Sequence, residues 1–139
     1  MPVEDATPSL PLVITDAQVR AEYPQRLHEC LDTGEAAKGV SVAMGGCFNA
    51  ELQAQDARLN AVYRAVMAGL GDAGKARLRA EELAWIDQRD IGCREAASGG
   101  SLDRVEIPAC LLTETVRRRL ALEARSPVRS SARGEVSLN

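Results

Sequence analysis

Apolar residues recur along most of this chain at the three-to-four-residue spacing of a helix, and no alternating strand pattern competes with it. The clearest stretch is 47–70, where Phe48, Leu52, Leu59, Val62, Val66 and Leu70 share a face and charged residues fill the gaps. The segment GDAG at 71–74 ends it, because glycine turns to positive φ without steric cost. Another helix is predicted over 75–97, with Leu78, Trp85, Ile86 and Cys93 in one buried stripe. SGGS at 98–101 stops it. The last helix spans 102–124 on the apolar face Leu111, Leu112, Val116 and Leu120, with Pro108 in its first turns or at a break. Ahead of these, Asp16 opens a shorter helix over 16–32, interrupted near Pro24. Four glycines between residues 33 and 46 make that connection loosely specified and only partly helical.

These segments predict an all-α fold, a small bundle of about four antiparallel helices over 16–124. Pro2, Pro8 and Pro11 make 1–15 an extended arm, and 125–139 holds too little apolar surface to offset chain entropy, so a disordered tail is expected. The 139 residues suit one core. Aromatics are only 3% of them, so that core is built from Leu, Val, Ala and Met, which favours helices over a sandwich.

Formal charge is −3, divided as +2 beyond Ala124 and −5 over residues 1–124. An acidic body lacks the clustered Lys and Arg that phosphate binding needs, which argues against nucleic acid and for a cationic protein partner. No run of about 18 apolar residues exists, so no membrane span is expected. The opening MPVEDATPSLPLVITD has no basic stretch followed by an apolar one. A mature chain with its signal removed and Met1 added for expression would begin this way, and the cysteines favour that reading.

Cys30, Cys47, Cys93 and Cys110 fall in two pairs, each separated by 17 positions. Zinc sites need short ligand spacings or nearby histidine, and a redox pair needs CxxC; neither occurs, and His28 is the sole histidine. Two disulfides are the expected use. Sequence alone leaves three pairings open. Cys30 with Cys47 and Cys93 with Cys110 is favoured, because each pair brackets a Gly-rich turn that folds its flanks together. Such crosslinks imply an oxidising compartment.

GLGDAGKA at 69–76 has the spacing of a phosphate-binding loop, yet Ala76 stands where Ser or Thr should hold magnesium, and a helix, not a strand, precedes it. It reads as a turn between antiparallel helices. Asp56, Asn60 and Tyr63 project from one helix face at i, i+4 and i+7; Trp85 and Arg89, with Asp90 beside them, do so on the next helix. Together with Thr115 and Arg118 they form an expected structural polar cluster that sets helix register, with Arg89 paired to Asp56 or Asp90. Of Arg117, Arg118 and Arg119, Arg118 is expected to turn inward and the other two to be solvated. No Ser/His/Asp set exists and a thin helical stack offers little cleft, so neither catalysis nor a cofactor is expected.

These residues resemble the LprI-like lysozyme-inhibitor family over about residues 23–123. The resemblance rests on Cys30; Cys47 followed by Glu51 and DARLNAVYRAVMAGL at 56–70; LRAEELAWIDQRDIGC at 78–93; GGS at 99–101; and CLLTETVRRRL at 110–120. Two positions depart from the family pattern: Glu82 replaces a usual Gln, and Gln88 a common aromatic. The resemblance implies periplasmic or secreted location, disulfides, a helical fold and inhibition of lysozyme. A periplasmic inhibitor of lysozyme-type muramidases is therefore expected, binding its partner through Gly99, Gly100, Ser101 and Arg104, or through 33–46. The alternative is an envelope interaction or immunity protein that binds another secreted toxin or a cell-wall fragment, without catalysis.

Overall fold

A computed structural model describes residues 13–126, and the described residues form six helices and no strand. Most of the arm expected over 1–15 and of the tail expected over 125–139 lies outside that range. Three short helices come first: α1 Asp16–Arg20, α2 Gln25–Leu31 and α3 Gly34–Ala37. Three long ones follow: α4 Ser41–Ala68, α5 Asp72–Ala96 and α6 Asp103–Glu123.

The count exceeds four because the helix expected over 16–32 divides at Pro24 into α1 and α2, and the loosely specified 33–46 connection contains α3. Thr15 starts α1 through a capping box: its hydroxyl accepts from the Gln18 amide, and the Gln18 side chain accepts from the Thr15 amide. Pro24 cannot continue that helix; it caps the next one from an extended conformation. Gly34 and Gly39 take positive φ (59° and 84°) at the two ends of α3.

The third difference is the start of α4, six residues earlier than the apolar pattern indicates. Gly45 and Gly46 lie inside the helix. Gly45 is there for proximity: a Cβ on it would stand 2.1 Å from the Arg104 carbonyl oxygen of α6. Pro108, inside α6, has no N–H to give that same carbonyl four residues back. The helix break expected from Pro108 therefore becomes a close crossing of α4 and α6.

The α4/α6 pairing is the main interface of the molecule. Gly45 faces Arg104 and Gln55 bonds Arg119, so the two helices run parallel. α5 returns the chain between them and is antiparallel to α6, as the Cys93–Cys110, Arg89–Thr115 and Glu81–Arg125 contacts show. The disulfides are Cys30–Cys47, joining α2 to α4, and Cys93–Cys110, joining α5 to α6. A loop of this size closed by a disulfide contributes about 3 kcal/mol in the chain-entropy model.

Two apolar clusters form the core. In the first, Val19, Leu27, Ala36 and Cys47 of the α1–α4 half meet Leu112 and Val116 of α6. The second gathers Leu59, Val66, Leu78 and Leu122 near the α4–α5 turn. GDAG forms that turn and the first residues of α5, but not through positive φ as expected: Gly71 caps α5 at φ −80° and Gly74 lies within the helix.

Candidate functional site

Between the apolar clusters lies a buried polar layer that sequence reasoning missed. Arg119, expected in solvent, is 1% exposed. Its guanidinium donates to Gln55 (3.1 Å), to Glu22 (2.7 Å) and to Glu123 (2.8 Å). Gln55 in turn donates to buried Glu51 at 2.8 Å, and Glu51 is held by Arg26 through two bonds of 2.7 and 3.0 Å. The signal is present in the spacing: Leu112, Thr115, Val116, Arg119 and Leu122 share one buried stripe of α6. A stripe traced through Leu111 and Leu120 leaves Arg119 outside it.

Arg118 also turns inward, toward α5. Its Nε donates to Glu82 at 2.8 Å, and its Nη2 lies 2.9 Å from Glu81. Trp85 carries the Arg89 guanidinium 5.0 Å from its ring centroid and that of Arg118 at 5.8 Å. Arg89 selects Asp90 (2.9 Å) rather than Asp56, and donates to the fully buried Thr115 hydroxyl at 3.2 Å. Trp85, Arg89, Asp90, Thr115 and Arg118 thus interlock across α5 and α6. Asp56, Asn60 and Tyr63 do not join them by hydrogen bonds; they line a cleft of about 260 Å³ between α4 and α5.

Two further arginines act at the periphery of α6. Arg117 donates to the Ile14 carbonyl and to Asp16, and the second of these bonds holds the Asp16 carboxyl below the usual carboxylate range. Arg125 does the same for Glu81.

The segments expected to bind a partner meet at the opposite end from the α4–α5 turn. Gly99 and Gly100 take positive φ (83° and 102°), letting the chain reverse between α5 and α6. The reversal is tied down: Ser98 donates from its amide and hydroxyl to Glu106, and the Gly99 amide donates to Asp103 at 2.9 Å. Ser101, Leu102 and Arg104 stay exposed. Beside them an open groove of about 740 Å³ runs between α4 and α6. Val42, Gly45, Gly46 and Asn49 form one wall; Arg104, Ile107, Pro108 and Leu111 belong to the other. Cys47 and Cys110 lie within these two stretches of sequence, so each wall is crosslinked to a neighbouring element. Of the segments 33–46 and 98–104, alternatives in the sequence, Val42, Gly45 and Gly46 of the first and Asp103 and Arg104 of the second border this one groove.

Among the described residues no three His, Cys, Asp or Glu side chains are placed to hold a metal ion. Nor is any described helix long and apolar enough to cross a membrane.

A family model described as lysozyme inhibitor LprI matches residues 30–122, two thirds of the chain. The chain belongs to the LprI family. The match opens at Cys30 and closes at Leu122, so both disulfides, the groove and the Trp85 interlock of this LprI-family protein fall inside it, while α1 falls outside. The chain is also 31% identical over 134 residues to an uncharacterized protein of Rhizobium meliloti (strain 1021), covering 84% of this chain and 90% of that one. No solved structure matches it.

Proposed function

We propose that this LprI-family protein is a periplasmic or secreted inhibitor of lysozyme-type muramidases that acts by stoichiometric binding. The observation that carries this reading is the surface where α4 and α6 begin. There an exposed loop with Gly99, Gly100, Ser101 and Arg104 is hydrogen-bonded back to α6 through Ser98 and Gly99, beside an apolar groove. A loop already fixed in one conformation loses little entropy on docking, which is what tight occlusion of an enzyme cleft requires.

Muramidases carry paired carboxylates around the scissile bond. Arg104, projecting beside the groove, supplies a guanidinium for such a pair, and Val42, Ile107 and Leu111 supply apolar contact. The acidic body steers approach to a cationic enzyme, and screening by salt weakens that steering. Two disulfides suit an oxidising compartment outside the cytoplasm.

Titration of lysozymes with the protein in a cell-wall turbidity assay tests the reading. The expected result is a loss of lysis that reaches its endpoint at one inhibitor per enzyme. Arg104→Ala is expected to weaken inhibition about 10-fold or more, since a central arginine anchor is commonly worth over 1 kcal/mol. Full lysis by every lysozyme type at micromolar excess of the protein would falsify the proposal.

A further inference from the structure

We infer that the cleft between α4 and α5 is a saccharide-binding site, taking one N-acetylated sugar ring of a glycan. It is separate from the groove: residues 45 and 60 of α4 are about 22 Å apart at 1.5 Å rise per residue.

The chemistry of its lining selects the ligand. Among the described residues Asp56, Asn60, Tyr63 and Arg79 make no side-chain hydrogen bond or ion pair, yet all four border the same cavity. A carboxylate, an amide, a phenol and a guanidinium together offer both donors and acceptors, which is what hydroxyl groups need. Glu82 and Arg89 complete the charged lining, so its formal charge is zero: two acids balance two arginines. That balance disfavours a phosphate or a polyamine and suits a neutral polyhydroxylated ring.

Leu83 is 61% exposed at the cleft, and Ile86 lies beside it. They offer apolar contact to ring C–H groups and an acetamido methyl, while the Asn60 amide can pair with the acetamido group. Trp85 borders the cleft with the guanidiniums of Arg89 and Arg118 over its ring, so its part is in the lining and no stacking on the sugar is invoked. At about 260 Å³ the cleft falls below the ~300–1,000 Å³ of sites for drug-sized ligands, so a single ring is held and the rest of a chain lies outside.

Trp85 is the sole tryptophan of the chain, so its emission reports the cleft directly. The full chain is titrated with tetra-N-acetylchitotetraose and, in parallel, with maltotetraose. A saturable change in Trp85 emission with the acetylated sugar alone is expected, with amide shifts in nuclear magnetic resonance confined to 56–63 and 79–89. Asn60→Ala and Asp56→Ala, both exposed positions, should each weaken binding about 10-fold while leaving the helical circular dichroism unchanged. The inference is overturned by an absent response, an equal response to maltotetraose, shifts centred elsewhere, or variants that bind as the parent does.

Discussion

The two ends of the α4/α6 pair are secured by different means. Where α4 and α6 begin, the attached pieces are short: α1 to α3 have five, seven and four residues, and the 97–102 connection is no longer. Isolated helices under about 12–15 residues are marginal in water, so these pieces depend on outside support. Both disulfides lie at this end. At the other end the long helices α4 and α5, of 28 and 25 residues, are joined directly by a short turn, and the contacts to α6 are arginine pairs on Trp85, Glu81 and Glu82. The crosslinks therefore stand where local structure is least able to sustain itself, and the proposed partner surface is built on that same end.

The largest effect is expected at the layer between the two ends. Arg119→Ala removes the buried guanidinium that Gln55, Glu22 and Glu123 share, and breaking a buried charge pair from one side costs about 3–5 kcal/mol. Urea denaturation measures this. Arg119→Met should recover part of the loss, because it refills the volume without a charge. Next in size is the crosslink itself. Replacing Cys93 and Cys110 together by Ala should cost about 3 kcal/mol. If the ends are secured independently, hydrogen exchange then accelerates at 97–104 and stays slow at the amides of Val66 and Leu78 in the second cluster. Uniform acceleration at both ends would show that they are not.

The sequence carried the long helices well because periodicity and glycine stops agree over 47–97. The same rules failed where one residue type serves two purposes. Gly39 ends a helix with positive φ, whereas Gly45 sits within one to admit the Arg104 carbonyl; both are read as loop signals when only the chain is visible. Likewise Arg118 and Arg119 look alike in sequence, and their different environments follow from which stripe of α6 faces α4. The Trp85, Arg89, Thr115 and Arg118 contacts were legible as a motif. That Asp56, Asn60 and Tyr63 would instead border open space was not, since spacing on one helix says nothing of the distance to the next.

A matched pair of glycine substitutions sharpens the comparison on a smaller scale. Gly45→Ala drives a methyl into backbone that cannot move aside, and overpacking of this kind costs about 1–3 kcal/mol. Its neighbour has nothing within 4 Å of the added carbon, so Gly46→Ala should stabilise by about 0.5–1 kcal/mol through helix propensity. Thermal unfolding of the two variants should therefore shift in opposite directions. If both fall, the crossing is not held by proximity at residue 45 alone.

The smallest effect compares the two peripheral ion pairs under acid. Asp16 with Arg117 secures α1 to α6, and Glu81 with Arg125 secures α5 to the end of α6. Both carboxyls are held below their usual range, first by the arginine hydrogen bond and then by its charge in the case of Asp16. A lowered folded-state value means the contribution is complete above the unfolded carboxylate value, near pH 4, and is lost as pH falls through the lower one. Glu81 is 42% exposed, so screening limits its share to about 0.2–1 kcal/mol. Stability measured from pH 6 to pH 2 should thus decline below about pH 4, and 0.5 M salt should shrink that part of the decline. Asp16→Asn should flatten the acid limb for α1 amides, and Glu81→Gln should flatten it for the C-terminal turn of α6. An unchanged acid limb in either variant would mean that the corresponding end does not rely on its ion pair.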